Sequence, residues 1–448
     1  MGIRGLSGVV LLASALVAGL GVTVVPVARL LQAGIALSVV YVGYLAWRGW
    51  RAMREALAEP APGRLEPMED AADLPFVSLV VPARDEATVI GNVVRGLAAL
   101  RYHVGGTPHY EVTIVDDGST DATGEVALAA SEEADAGRYV RVVRRELVGP
   151  STKGAAMAFA QPYCRGEVIG VLDADARVDP AFLERVMRAW RRDPNAGALQ
   201  ARRAPQVTRP VWLTGAQADE QLMDLASQHG RWATDGTAEL RGNGMFVRRA
   251  ALDRAGGWST TALTEDLDLS TRLAAIDERV ALAPDAVVGE EAVTTLSGLW
   301  RQRMRWAEGS LRRLMEHGPR MLRAPIPLGR KLDFLAFIGE FVLPPLFVAA
   351  IAASVVTIPL PQPADWTVPA SLFVGYGLGS FLLAVAGLGA TGERGLRLVG
   401  RATRGALFLS HWLLVVPGAL LRICLAPGPA RYVRTPRAGE RPGTARDR

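Results

Sequence analysis

The sequence predicts an α/β domain with a largely parallel sheet, placed between two groups of transmembrane helices. Three observations lead to this prediction. Long apolar runs lie near both ends of the chain, the stretch between them alternates short β-rich runs with helical ones, and three of the predicted strands end in charged clusters. Ligands of such domains bind at the carboxyl ends of the strands, so the clusters indicate a binding site.

Five apolar runs are long enough to cross a bilayer, which takes about 20 residues in a helix. Half of the 448 residues are hydrophobic, which is unusual for a soluble enzyme, and Glu340 is the one charge inside the runs. Together with the Pro344-Pro345 pair, it makes a partly interfacial or re-entrant segment an alternative for the third run. The runs are 5–28, 30–47, 334–360, 366–390 and 405–421.

These runs divide the chain into six parts. The long central stretch carries most of the acidic residues and no apolar run, so we expect it to face water. The predicted parts are two transmembrane helices (1–54), a linker rich in Pro, Ala and Glu (55–75), the α/β domain (76–292), amphipathic interfacial helices (293–330), about three transmembrane or re-entrant helices (331–428) and an Arg-rich tail (429–448).

Positive charge beside the apolar runs predicts the orientation. Arg48, Arg51 and Arg54 follow the second run, whereas the turn between the first two runs holds Arg29 alone. Because arginine-rich loops stay in the cytosol, the N-terminus and the α/β domain are predicted to be cytosolic, in a multi-pass protein of the plasma (inner) membrane. A cleaved signal peptide is an alternative for the first run, but that run is long, lacks a clear cleavage site and is followed at once by another.

Composition also bears on partners and compartment. The net charge of +5 comes from arginines that cluster mainly beside the membrane, so anionic lipid is the expected partner and nucleic acid is not. Cys164 and Cys424 are too few and too far apart to suggest a disulfide framework or a metal site. This usage agrees with a reducing compartment.

Asp173-Ala174-Asp175 directly follows the predicted strand 168–172. Two carboxylates at this spacing can face one hard cation, and a divalent metal that bridges the diphosphate of a nucleotide-sugar needs few protein oxygens. The same tripeptide is also typical of a turn or a helix cap.

Two further strand ends carry acids, at Asp116-Asp117-Gly118 and at Arg84-Asp85-Glu86. A carboxylate at such a position can accept hydrogen bonds from the base or ribose of a nucleotide donor. Asp-Gly sequences are equally frequent in turns, which is the alternative.

Lys153 is one of only two lysines in a chain that otherwise uses arginine. A lysine places a compact point charge where a planar guanidinium does not fit, which suits a donor phosphate. The alternative is a solvated residue at the start of a helix.

Thr264-Glu265-Asp266 opens a predicted helix over 266–275. Asp266 is a candidate general base that takes the proton from an acceptor hydroxyl. Alternatively, Thr264 caps the helix and the acids interact with its dipole.

Gln302-Arg303-Met304-Arg305-Trp306 lies on an amphipathic helix predicted over 296–317. Its arginines and tryptophans fit a helix in the bilayer interface. They also fit a site in which Trp306 stacks on an acceptor sugar and an arginine neutralises the leaving diphosphate.

In this order, these elements resemble the processive family 2 glycosyltransferases, which include the bacterial cellulose, chitin, hyaluronan and poly-N-acetylglucosamine synthases. The resemblance covers 76–309 and the flanking helices. It implies a GT-A domain, the α/β fold of nucleotide-diphospho-sugar transferases, with transmembrane helices on both sides. The four matching elements are Asp116-Asp117-Gly118, Asp173-Ala174-Asp175, Thr264-Glu265-Asp266 and Gln302-Arg303-Met304-Arg305-Trp306.

The same resemblance implies roles for the site residues. Asp117 binds the uridine of a UDP-sugar, Asp173 and Asp175 bind the diphosphate with Mg²⁺ or Mn²⁺, and Asp266 is the catalytic base. Further donor contacts are implied for Asp85, Glu86, Asp116, Lys153 and Arg305. The acceptor side comprises Gln200, Gly242, Asn243, Gly244, Glu265, Gln302 and Trp306.

Two features depart from the family pattern. Lys153 lacks the usual glycines before it, so its phosphate loop is expected to differ in shape. Three spans after the domain would leave the Arg-rich tail outside, against the positive-inside rule. Within that tail, 431–437 is similar to a short C-terminal motif of these enzymes.

The main hypothesis is inverting transfer from a UDP-sugar that builds a β-linked polysaccharide, because one base is evident and a second nucleophile is not. An alternative keeps this chemistry but ends after one sugar on a lipid acceptor, as in the ceramide glucosyltransferases, which share the motifs. A third hypothesis, a non-catalytic scaffold or transporter component, is opposed by the intact acidic positions.

Overall fold

The computed structural model describes residues 2–58, 74–147, 151–206, 211–359, 366–426 and 428. Most of the predicted linker lies outside these residues, as do the Arg-rich tail from 429 onward and its segment 431–437.

A seven-stranded mixed sheet forms the centre of the α/β domain, with the spatial order β5-β4-β1-β6-β8-β7-β9. Among the described strands of this sheet, β8 alone runs antiparallel to its neighbours, so the predicted α/β domain with a largely parallel sheet is confirmed. A small hairpin, β2 with β3, lies apart from it. The strands are β1 Val77–Ala83, β2 His103–Val104, β3 Thr107–Pro108, β4 Tyr110–Asp116, β5 Val140–Arg144, β6 Val168–Val171, β7 Ala198–Gln206, β8 Met245–Arg248 and β9 Val280–Glu291.

Short helices connect the strands. Strands β1, β4 and β6 are buried along nearly their whole length, as expected for apolar strands with both faces covered. The helices of this domain are α3 Ile90–Ala98, α4 Thr123–Glu133, α5 Lys153–Ala160, α6 Phe182–Arg192, α7 Trp212–Ala233, α8 Arg249–Arg254 and α9 Glu265–Ala275.

Within the part of the chain that the structure describes, five helical segments are long and apolar enough to cross a membrane: 3–23, 25–58, 328–356, 367–390 and 395–425. The third apolar run lies largely in one continuous helix that passes through Pro344 and Pro345, and its partly interfacial or re-entrant placement stays a prediction. The last segment instead breaks at Ser410 and His411 into two helices. These helices and the amphipathic one before them are α1 Ile3–Thr23, α2 Val25–Ala58, α10 Leu296–Arg323, α11 Leu328–Val356, α12 Thr367–Ala390, α13 Gly395–Leu409 and α14 Trp412–Leu425.

Helix α7 joins the α/β domain to the apolar helices. Its buried polar side chains meet charges on other helices: Asp219, fully buried, accepts from Arg401 at 2.9 Å and from Arg404 at 2.7 Å, both on α13. At the other end of α7, Arg231 donates to Asp333 of α11 at 3.0 Å. The helix was not predicted, because a polar buried face hides the apolar periodicity on which prediction rests.

Helices α2 and α7 approach until their backbones touch. A side chain at Gly49 would place its Cβ 2.0 Å from the Ala226 carbonyl oxygen, and one at Gly230 would come within 2.3 Å of the Leu45 carbonyl oxygen. Such close crossings need glycine on both helices.

Gly49→Ala is therefore expected to lower the free energy of unfolding by about 1–3 kcal/mol, because the added methyl forces the two helices apart. Gly34→Ala is the matched control, since it adds the same methyl to the same helix where nothing lies within 4 Å. Thermal unfolding in detergent micelles measures both. Equal melting temperatures of the two variants would contradict the described packing.

Candidate active site

A cavity of about 1800 Å³ begins at the carboxyl ends of β1, β4 and β6 and continues between α2, α11 and α12. Most of the residues predicted from the sequence line it, although they come from distant parts of the chain. These are Asp85, Glu86, Asp117, Lys153, Asp173, Asp175, Gly242, Asn243, Glu265, Asp266, Gln302, Arg305 and Trp306.

The sheet brings the acidic clusters together. Strands β1 and β4 are parallel and in register from Val77 with Tyr110 to Ala83 with Asp116, and the Asp117 N–H donates to the Ala83 carbonyl at 2.8 Å. Strand β6 pairs on the other side of β1 and ends just before Asp173. All three strands therefore end at one edge.

Asp117 and Asp116 face different surroundings. The buried carboxylate of Asp117 accepts hydrogen bonds from Arg145 and, at 3.1 Å, from the Ser151 hydroxyl. Asp116 does not line the cavity; it accepts from the Ser119 N–H at 2.9 Å and from Arg144 at 3.0 Å. Asp116 therefore stabilises the turn that places Asp117 at the cavity.

Asp85 and Glu86 lie on the neighbouring loop. Asp85 has a φ of 54°, a left-handed conformation that aspartate tolerates better than most residues, and its carboxylate accepts from the Thr120 N–H at 2.8 Å. The Glu86 N–H donates to the Thr123 hydroxyl at 2.8 Å. These bonds tie the loop after β1 to the turn after β4.

Lys153 lies between two acids. Its ammonium nitrogen is 2.5 Å from Asp173 Oδ1 and 3.6 Å from Glu265 Oε1, and it donates to the Gly242 carbonyl at 3.3 Å. It begins α5 because Thr152 caps that helix by accepting from the Ala155 N–H. Lys153 is therefore placed to bind a donor phosphate in place of these two carboxylates.

Burial and charge set the titration of this cluster. Burial favours the neutral form of Asp173, but the ammonium of Lys153, with Arg203 and Arg305, outweighs it and holds the pKa of this carboxyl below its usual value. Burial raises the pKa of Glu265 to about 7 although Lys153 opposes it, and the charge of Asp266 adds to the rise. The site thus holds one ionised acid and one that titrates near neutral pH.

Asp266 lies at the start of α9, where its Oδ1 accepts from the Leu267 N–H at 2.8 Å. Its Oδ2 lies 3.2 Å from the position that a Cβ atom would take at Gly242. Gly242 has a φ of 79°, and its neighbour Asn243 accepts from the Asp173 N–H at 3.1 Å. The loop after α7 therefore contacts both the predicted base and the predicted metal ligand.

Gln200 and Gly244 do not line the cavity. The amide of Gln200 donates to the Asn243 carbonyl at 2.8 Å and accepts from the Arg241 N–H at 2.7 Å. Gly244, with a φ of 72°, donates its N–H to the Val171 carbonyl at 3.0 Å. In this structure both residues position the loop, and the acceptor contact implied for them stays a prediction.

Two arginines lie beside Trp306: Arg303, which belongs to the predicted motif, and Arg203, which the sequence analysis did not indicate. Arg203 pairs with both carboxylate oxygens of Glu290, at 2.7 and 2.8 Å, and lies 5.6 Å from the ring centre of Trp306. Buried Arg303 pairs with Glu220 and lies 4.3 Å from the same ring. Arg203 had no sequence signal, because it lies within β7 outside any recognisable motif.

A metal ion would depend on few protein ligands here. Asp173 and Asp175 both line the cavity, and Asp175 accepts from the Glu291 N–H at 3.3 Å. Within the part of the chain that the structure describes, no cluster of three or more His, Cys, Asp or Glu side chains could hold a metal alone. Two carboxylates fit a cation that a diphosphate also coordinates.

Comparison with known proteins agrees with this geometry. The family described as Glycosyltransferase like family 2 matches residues 75–309. A Beta-monoglucosyldiacylglycerol synthase from Trichormus variabilis is 33% identical over 415 residues, which are 90% of this chain and 84% of that protein. A Poly-beta-1,6-N-acetyl-D-glucosamine synthase from Staphylococcus aureus is 26% identical over 241 residues, 53% of this chain and 55% of that protein.

A solved mannosyltransferase from Pyrobaculum calidifontis, in complex with GDP-Man and Mn²⁺, matches with a TM-score of 0.58 and 20% identity. The match covers 89% of this chain and 100% of that one. At 20% identity this match is evidence for the fold alone. It confirms the GT-A fold that the resemblance of the sequence motifs implied.

Gly242→Ala is expected to lower the turnover rate at least tenfold, because its Cβ would lie 3.2 Å from the Asp266 carboxylate, closer than an ordinary contact, and would displace it. Gly257→Ala is the matched control: its φ of 75° imposes the same backbone strain, but nothing lies within 4 Å. Steady-state kinetics compares the two. Equal losses would mean that strain alone, and not contact with Asp266, explains the effect.

The raised pKa of Glu265 predicts a pH effect on stability without donor or metal. A carboxyl whose folded-state pKa is raised stabilises the fold fully below its ordinary value of 4.5 and loses this contribution as pH rises through about 7. The melting temperature of the wild type should therefore fall relative to Glu265→Gln between about pH 5 and 8. The control is Glu132→Gln, at an exposed position on α4, whose offset from the wild type should not vary with pH.

Proposed function

The chain belongs to the family 2 glycosyltransferases, and on that premise we propose that it transfers a single glucose from UDP-glucose to the hydroxyl of a membrane glycerolipid, with inversion at the anomeric carbon. One observation carries this proposal. Asp117, Asp173, Asp175 and Asp266 line one cavity, and that cavity runs on among apolar helices.

Support for a lipid acceptor comes from the extent of similarity. The similarity to a Beta-monoglucosyldiacylglycerol synthase runs over 90% of the chain, including its apolar helices, whereas that to a polysaccharide synthase covers 53%. The extent of similarity therefore favours the alternative drawn from the sequence, one sugar on a lipid, over processive polysaccharide synthesis.

On the donor side, Asp117 accepts hydrogen bonds from the uracil, with Arg145 and Ser151 holding its carboxylate in place. Asp173 and Asp175 would hold a Mg²⁺ or Mn²⁺ ion together with the diphosphate, and the ion would supply positive charge to the leaving group. Lys153 and Arg305 face the same oxygens and stabilise the UDP that is released.

On the acceptor side, Asp266 takes the proton of the lipid hydroxyl. The hydroxyl oxygen attacks the anomeric carbon, the bond from that carbon to UDP breaks, and the new bond forms on the opposite face. Glu265 and Trp306 lie beside this position, where Trp306 offers its ring to the transferred sugar.

We place the catalytic domain on the cytosolic side of the plasma membrane. The arginines of α2 lie at the end of the helix that meets the domain, where Arg48 donates to the Ala233 carbonyl of α7. Arg51 and Arg54 lie over the rings of Trp47 and Trp50, as expected at a membrane surface.

Asp266→Asn is expected to lower transfer at least a thousandfold while leaving UDP binding unchanged, because the amide cannot take up the proton. The assay follows labelled glucose from UDP-glucose into lipid extracts, and calorimetry measures UDP affinity. Asp253→Asn, at an exposed position on α8, is the control. Retained transfer in Asp266→Asn would remove the assigned base, and a labelled polymer would remove single transfer.

A further inference from the structure

The membrane part of the cavity is apolar on two helices. On α2 it is lined by Ile35, Val39 and Val42 together with Ser38, and on α12 by Leu372 and Leu383 together with Gly375, Tyr376, Gly379 and Ser380. The Ser38 and Tyr376 hydroxyls already donate to the Gly34 and Leu409 carbonyls, at 2.9 and 3.1 Å, so these two faces offer a polysaccharide few free donors and suit hydrocarbon chains.

These residues lie well inside the apolar segments. Helices α2 and α12 are antiparallel, since Gln32 donates to Thr367 at 2.7 Å near one end and Gly389 lies beside the Trp50 ring near the other. Val39 lies between these two contacts, seven residues after Gln32 and eleven before Trp50. The apolar part of the cavity is therefore at bilayer depth and continuous with the donor cleft.

Glu340 lines the same cavity from α11. It lies seven residues beyond Asp333, which Arg231 and Thr237 of the catalytic domain hold, so it is about 10 Å further along the helix. Phe337 lies between them in sequence, with its ring centre 4.5 Å from the Arg231 guanidinium. No described residue donates a hydrogen bond to the Glu340 carboxylate or pairs with it. An ionisable residue inside an apolar helix is costly and indicates a functional role.

Four arginines that line the cavity are already paired with carboxylates: Arg203 with Glu290, Arg241 with Asp224 and Glu239, Arg303 with Glu220, and Arg313 with Glu239. Arg305 lies on the donor side, where its charge lowers the pKa of Asp173. Arg301 lies one turn before it on α10. Glu340 makes no ion pair with a described residue, and the charges of Arg231 and Arg241 reach it only from a distance.

From these contacts we infer that α2, α11 and α12 form the acceptor site of the proposed lipid glucosylation, which takes an uncharged lipid with a free hydroxyl. The acyl chains lie along Val39 and Leu383, and Glu340 accepts a hydrogen bond from the polar head. A lipid phosphate would meet the Glu340 carboxyl and four arginines that are already paired with acids, so a neutral diacylglycerol is preferred over a polyprenyl phosphate. This site rests on the proposed function.

The experiment uses the full-length protein in phosphatidylcholine nanodiscs, with labelled UDP-glucose and either dioleoylglycerol or a polyprenyl phosphate. The wild type should glucosylate dioleoylglycerol at least tenfold faster than the phosphate lipid. Glu340→Gln and Val39→Phe should each raise KM for dioleoylglycerol about tenfold, with kcat and UDP affinity nearly unchanged.

Two control variants separate this site from general effects on the helices. Val40→Phe makes the same substitution one residue further on α2, at a side chain that is 67% exposed and does not line the cavity. Glu316→Gln removes an exposed acid on α10. Both controls should keep the wild-type KM.

The outcomes distinguish the acceptor site from the proposed function. Transfer to dioleoylglycerol with an unchanged KM in both Glu340→Gln and Val39→Phe overturns the acceptor site and leaves the proposed function standing. Faster transfer to the phosphate lipid also overturns the inferred site. Glucose on neither lipid overturns both proposals together.

Discussion

The buried charges of α7 determine how the catalytic domain sits on the apolar helices. Asp219 is bound by two arginines of α13, and Arg231 is bound by Asp333 of α11. A buried charge that loses its partner costs about 3–5 kcal/mol, so the domain cannot tilt without a large loss of stability. This constraint keeps the donor cleft directly continuous with the membrane part of the cavity.

The donor cleft is balanced for a ligand that carries both signs of charge. Lys153 lies between Asp173 and Glu265, while Asp175 is held by a backbone N–H of β9. A diphosphate with its divalent cation offers phosphate oxygens to the lysine and positive charge to the carboxylates. A bound nucleotide-sugar with its cation can therefore replace the contacts among Lys153, Asp173 and Glu265 without leaving a charge unpaired.

In the proposed function, the donor and the acceptor meet different parts of the chain. The donor motifs end at Trp306, and the lipid would lie against the helices that precede and follow them. Here α2 and α12 present apolar side chains and α11 presents one acid, which suits a neutral lipid. Motifs shared across a family thus describe the donor chemistry better than they describe the acceptor.

Much of the fold and of the donor site could be predicted from the sequence, because its signals are local. Apolar runs indicated the membrane helices, and acids after buried strands indicated the cleft, since parallel strands end at one edge. Arg203, Glu290 and α7 gave no such signal, because their roles depend on partners far away in the chain.

The sequence by itself determined the α/β class, the apolar segments and the residue types that bind a nucleotide-sugar, since these follow from periodicity and from side-chain chemistry. Only the tertiary structure decided that Asp116 and Gln200 support loops while Asp117 faces the cavity, and that Glu340 meets the same cavity from the membrane side. Side-chain direction and long-range pairing depend on how helices and strands pack, which no local pattern records.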